Sequence, residues 1–130
     1  MIKSGQFWYL GTPYTKFPGG LECAFVMACK LTAFLAARGV PVYSPIAHSH
    51  PVAVHGALDA VDHHFWVRFD RPMVEAAGGL IAVMAEGWEE SRGLKHEIEQ
   101  FKLQGKPVLC WDPATKPDLD SMLSTTTTVV

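Results

Sequence analysis

The chain has 130 residues, 48% of them apolar and 18% charged, with a formal net charge of −2. That length makes one domain, residues 1–130, able to bury a core without staples, and the weak negative charge leaves no footprint for nucleic acid or an anionic membrane. No apolar run reaches the roughly 18 residues of a membrane span, and no signal peptide precedes the first strand, so a cytoplasmic protein is expected.

Met1–Ser4 leads into Phe7-Trp8-Tyr9-Leu10, an aromatic-rich first strand. The loop Gly11-Thr12-Pro13-Tyr14-Thr15-Lys16 follows and runs through Phe17–Gly20 towards a helix. A glycine ending a strand lets backbone approach a ligand closely, although a plain strand-to-helix connection reads the same way. From Leu21 to Arg38 apolar residues recur at helical spacing (Leu21, Ala24, Phe25, Ala28, Leu31, Phe34, Leu35), with Gly39 as the stop. Val40–Ile46 reads as a second strand, kept short or peripheral by its prolines.

Ala47 to about His64 lacks periodicity and holds five of the six histidines. It reads as a long loop over the carboxyl edge of the sheet, with His48 and His50 as cleft-lining candidates. None of the histidines matches a metal-ligand spacing, so no metal is expected. Phe65 to Ala77 looks helical, with Phe65, Phe69, Met73 and Ala76 as its stripe. Asp70 is then either the N-cap of a helix starting at Arg71 or a polar group aimed at a ligand. Gly78-Gly79 stops that helix before the buried strand Leu80–Ala85. A crossover helix should begin near Ser91, a good N-cap, and leave at Gly105 for a strand over Pro107–Trp111. A short helix around Pro117 to Leu123 follows, and Ser124–Val130 is a low-complexity tail, either frayed or an oligomer contact. Cys23, Cys29 and Cys110 form no CxxC and read as reduced core thiols.

The alternation of strands and helices predicts a three-layer α/β/α sandwich with a Rossmann- or flavodoxin-like parallel sheet of four or five strands. Ligands in such sheets bind outside the carboxyl ends of the strands. There the Gly11–Tyr14 turn, the His48 loop and the Ser91 helix start would meet. One side chain in the crossover helix is out of place. Leu94, Ile98 and Phe101 make its apolar stripe, and Glu97 faces the same side. A sheet-facing carboxylate is costly unless it snorkels to water or lines a cleft, and both remain open from spacing alone. The helix dipole would help keep it ionised, by roughly 0.3–1 kcal/mol.

Tyr9-Leu10-Gly11-Thr12-Pro13-Tyr14 resembles the opening segment of the nucleoside 2-deoxyribosyltransferase-like superfamily. Asp70, then Gly87, Ser91, Gly93 and Glu97 followed by Gly105-Lys106-Pro107-Val108, resemble its later motifs. The resemblance implies Glu97 as a nucleophile attacking the anomeric carbon of a deoxynucleoside, with Tyr9 orienting it and Asp70 lining the substrate pocket. Ser91-Arg92-Gly93-Leu94 stands where the transferases carry Asp-Ser-Gly-Thr. That serine is similar to the branch that hydrolyses deoxynucleoside 5′-monophosphates, where it helps hold substrate. Lys16 or Arg92 could assist as cations. Gly87–Gly93 most closely resembles small bacterial and phage-borne members, and Trp88 could stack a base or cap the pocket.

The expected site is therefore Glu97 and Tyr9 for the chemistry, with Gly11, Thr12, Pro13, His48, His50, Asp70, Trp88, Ser91 and Gly93 as substrate contacts. No cofactor is called for. The ligand would be a nucleoside or nucleotide, and the resemblance implies a homo-oligomer. Two other classes stay open: a non-catalytic nucleotide or nucleotide-sugar binding module, and a histidine-based metal protein.

Overall fold

The computed structural model describes residues 5–115, so the expected helix at 117–123 and the tail at 124–130 lie outside the described residues. Four parallel strands form the sheet: β1 (Trp8–Gly11), β2 (Val42–Tyr43), β3 (Gly79–Val83) and β4 (Val108–Trp111), in the order β2-β1-β3-β4. The helices are α1 (Leu21–Ala36), α2 (Pro45–Gly56), α3 (His63–Ala76) and α4 (Arg92–Leu103). This is the expected Rossmann- or flavodoxin-like α/β architecture.

Period-two alternation along the strands divides the core. Trp8, Leu10, Ile81, Val83, Leu109 and Trp111 pack with Leu31 and Leu35 of α1 on one face. Tyr9, Leu80 and Ala82 pack with Leu94 and Phe101 of α4 on the other, joined by Met73 and Val74 of α3. The register Tyr9↔Leu80 and Gly11↔Ala82 puts Tyr9 and Gly11 on the α4 face together. The chain leaves β1 for β2 on one side and returns to β3 on the other. This makes the carboxyl ends of β1 and β3 the switch point, where a crevice opens.

Three expectations need correction. Ala47–His64 is not a long loop, because most of it is α2. Ser44 accepts a hydrogen bond from the Ala47 amide at 3.1 Å, and Pro45 takes the first helical position, where its missing N–H costs nothing. The second strand is correspondingly only Val42–Tyr43. Second, α3 starts earlier than predicted, with Asp62 rather than Asp70 as its N-cap, accepting from the Phe65 amide at 3.2 Å. Its inward stripe is also rotated. Phe69 is 47% exposed and Ala76 is exposed, while Trp66, Val67, Asp70 and Val74 turn towards the crevice.

Third, the cysteines are free but are not core thiols: Cys23 and Cys110 are exposed and Cys29 is partly buried. Cys23 sits on the outer side of the first turn of α1. Cys110 alternates with buried Leu109 and Trp111, and nothing among the described residues covers it.

Candidate active site

A cleft of about 610 Å³ opens at the switch point. Its floor carries Tyr9, and its sides are the β1–α1 loop, the start of α2, the inner face of α3 and one face of α4 as far as Gln104. Local sequence explains the α4 wall. Ser91 caps the helix by accepting from the Leu94 amide at 3.2 Å, which sets the helical phase. Leu94 and Phe101 are then buried on the sheet, and Glu97 stands between them facing the cleft.

Glu97 meets the sheet where it has no side chain. A Cβ added to Gly11 would lie 2.7 Å from Glu97 Oε1 and 2.8 Å from Leu94 Cδ1. Only glycine at this strand end leaves room for the carboxyl. The Tyr9 hydroxyl, two residues earlier on the same face, hydrogen-bonds the Glu97 carboxylate. Burial pushes Glu97 up to about 8 and the nearby charge of Asp70 adds to this, against the opposing pull of the Tyr9 bond. Desolvation thus outweighs the help of the helix dipole, worth roughly 0.3–1 kcal/mol.

Asp70 accepts from the Tyr43 hydroxyl at 3.2 Å. Burial raises it to about 6, partly offset by that bond and by His48. Burial and the charges of Glu97 and Asp70 also raise Tyr9 well above the ordinary phenol range, which keeps it a neutral hydrogen-bond donor. Two coupled carboxylates that lose their protons near 6 and 8 hold about one proton between them at neutral pH.

Of the expected contacts, Thr12, Asp70, Ser91 and Gly93 line the cleft with Tyr9 and Glu97. Thr12 is 5% exposed and its Oγ1 finds no partner among the described residues. Gly93 has open space where a side chain would be. Gly11 lies beneath Glu97 rather than in the lining, and Pro13 is buried. His48, His50 and Trp88 are not in the lining. His48 is exposed on α2 and stacks on Phe69, with ring centroids 5.8 Å apart. His50 points the other way, into the protein, because two positions along a helix turn a side chain to nearly the opposite face. Trp88 is partly buried and packs against the cluster around Tyr9 and Leu94.

Lys16 and Arg92 both reach the cleft. Sequence reading missed Tyr43, the partner of Asp70, and the rim histidines His63 and His96, whose rings lie 5.8 Å apart. Burial lowers His63, with the charges of Arg92 and His96 adding to the effect. The phase of α3, had it been set from Asp62, would have exposed the Trp66–Asp70 face. The His63–His96 pairing joins two helices and has no local signal.

No helix among the described residues is long and apolar enough to cross a membrane. No group of three or more His, Cys, Asp or Glu side chains among the described residues could hold a metal ion. The comparison with curated proteins gives no match. The sequence profile described as "Domain of unknown function (DUF1937)" matches residues 6–113, nearly all of the described fold and every residue of the cleft, and the chain belongs to that family.

Proposed function

We propose that the protein is a cytoplasmic enzyme that cleaves or transfers the N-glycosidic bond of a deoxynucleoside or its 5′-monophosphate, with Glu97 as nucleophile. The observation that carries this reading is the Glu97 carboxyl seated on Gly11, bonded to Tyr9 and coupled to Asp70 in one cleft. The resemblance to the deoxyribosyltransferase-like superfamily, carried by the same residues, agrees with it.

The chemistry follows from a carboxylate pair that holds one proton. A Glu97 oxygen bonds to the anomeric carbon as the carbon–nitrogen bond breaks, and the electron pair leaves with the base. The base nitrogen takes up the shared proton. Water, or a second base in a transfer reaction, then attacks the same carbon, gives up a proton to the carboxylates and frees Glu97. Tyr9 stabilises the carboxylate before attack. Ser91 uses its oxygen to cap α4, so its hydroxyl hydrogen remains free for a phosphate at the helix start.

One observation favours the binding-module alternative: burial and Asp70 leave Glu97 largely protonated at neutral pH in the free protein. A panel of deoxynucleosides and 5′-monophosphates, with and without an acceptor base, separates the readings when base release is followed by chromatography. Release that disappears in Glu97→Ala is expected, and acceptor dependence distinguishes transferase from hydrolase. Saturable nucleotide binding without release, unchanged by Glu97→Gln, would establish the module instead. Self-association belongs to the same proposal and is read by light scattering.

A further inference from the structure

Behind the cleft wall, three residues from three separate segments form a continuous hydrogen-bonded chain. Tyr14, in the loop after β1, lines the cleft and is 9% exposed. Its hydroxyl lies 2.6 Å from Nδ1 of His50 on α2. Nε2 of the same ring lies 3.0 Å from Oε1 of Glu22, in the first turn of α1. His50 is 5% exposed and its ring stacks on Phe25 with centroids 4.6 Å apart, so it cannot turn to other partners. The Glu22 side chain is 72% exposed, so the chain ends in solvent.

Donor and acceptor roles follow from the end of the chain. An ionised carboxylate only accepts, so Nε2 carries the hydrogen that Glu22 receives. In the neutral form of the ring Nδ1 is then bare, and the Tyr14 hydroxyl donates to it. That commits the phenol hydrogen and leaves the phenol oxygen with only lone pairs to offer. An oxygen fixed as an acceptor selects ligand donors and rejects an analogue that lacks them.

We propose that the Tyr14–His50–Glu22 chain makes Tyr14 a specificity-determining acceptor for a sugar hydroxyl of the bound nucleotide. Tyr14 touches the ligand, and His50 and Glu22 are positioning residues that act through it. The proposal rests on the nucleotide reading of the cleft.

The test measures, by calorimetry, binding of a 2′-deoxynucleoside 5′-monophosphate and its 2′,3′-dideoxy analogue to the Glu97→Gln protein, which cannot turn them over. The hydroxyl-bearing ligand should bind roughly 3- to 10-fold more tightly, the worth of one net hydrogen bond. Adding Tyr14→Phe should bring the two affinities together by weakening only the hydroxyl-bearing ligand. Equal affinities before Tyr14→Phe, or a preference that survives it, would overturn the proposal. A purely structural role would weaken both ligands alike and leave the ratio in place, which also overturns it. Binding of neither ligand would mean that the nucleotide reading has failed and this inference with it. Nitrogen-15 spectra of His50 in the unmodified protein, above the ordinary histidine titration range, give a check that needs no variant. A neutral ring protonated on Nε2 is expected, and a ring protonated on Nδ1 would overturn the chain.

Discussion

Gly11 and Glu97 compete for one space: the point where a Gly11 Cβ would stand is 2.7 Å from Glu97 Oε1. The atoms in the way, Glu97 Oε1 and Leu94 Cδ1, are ends of flexible side chains, so an alanine would displace them more readily than the backbone. Gly11→Ala should therefore destabilise the fold by about 1–3 kcal/mol, an ordinary overpacking cost. Base release should suffer more, by roughly 100-fold, because a misplacement of about 1 Å is enough to spoil an attack geometry. Urea denaturation and initial rates on one preparation check both. Unchanged activity would show that the carboxyl need not sit where it does.

Glu97 also links stability to pH. Its ordinary value of 4.5 rises to about 8 in the fold, so between those values the native chain holds more protons than the unfolded one. Stability must then fall as pH rises through that window and level off above it, by an amount of the order of a few kcal/mol. Asp70, raised from 3.8 to about 6, adds a fall of the same sign at lower pH. Urea midpoints taken on either side of the upper window should drop in the wild type and stay level in Glu97→Gln. An equal drop in both proteins would assign the effect to another group.

The rate profile tests the shared proton directly. If the active form is the singly protonated pair, kcat/KM should trace a bell with limbs near about 6 and about 8. The Asp70 charge helps hold Glu97 up. Asp70→Asn should therefore move the alkaline limb to lower pH as well as reduce the rate. An alkaline limb that stays in place would mean the two carboxylates are not coupled.

Thr12 invites a different substitution. Its buried hydroxyl has no partner among the described residues, and an unmet polar group costs stability until a ligand or water meets it. Thr12→Val keeps the shape and removes the hydroxyl. Thermal stability should hold or rise, while nucleotide affinity falls roughly 3- to 10-fold. Lower stability with unchanged affinity would place the Thr12 hydroxyl in the structure rather than in recognition.

Gly87 has φ 90°, and a side chain there would run into the carbonyl of Lys16, which is backbone and cannot swing aside. Gly87→Ala should cost about 1–3 kcal/mol from the left-handed conformation, with the collision added. Circular dichroism melts report this directly, and a wild-type melting curve would show that the two loops are not held together there.

Much of this protein was legible in its sequence because much of it is local. Ser91 as a cap, the Leu94–Phe101 stripe with Glu97 on the same side, the apolar β3 run and the helix stop near Gly105 are all properties of a few neighbouring residues. The α2 helix was hidden because Ser44-Pro45 starts a helix as naturally as it ends a strand, and histidines carry no apolar period. The α3 stripe was misphased because Phe69 is apolar but outward-facing, and a one-position offset turns a helix by about 100°.

The sequence by itself determined the alternation of elements, and with it a parallel sheet and a cleft at its carboxyl edge. Period two and period 3.6 are set by backbone geometry that any segment carries with it. Only the tertiary structure decided that Glu97 rests on Gly11, that Asp70 meets Tyr43, and that His50 turns from the cleft to join Tyr14 with Glu22. Those contacts join residues 27 to 36 positions apart in the hydrogen-bonded pairs, and farther for Gly11 and Glu97. Their distances depend on how whole helices seat on the sheet. The proton affinities follow from the same seating, since desolvation by packed neighbours, more than any residue's own chemistry, moves Glu97 and Asp70 from their ordinary values.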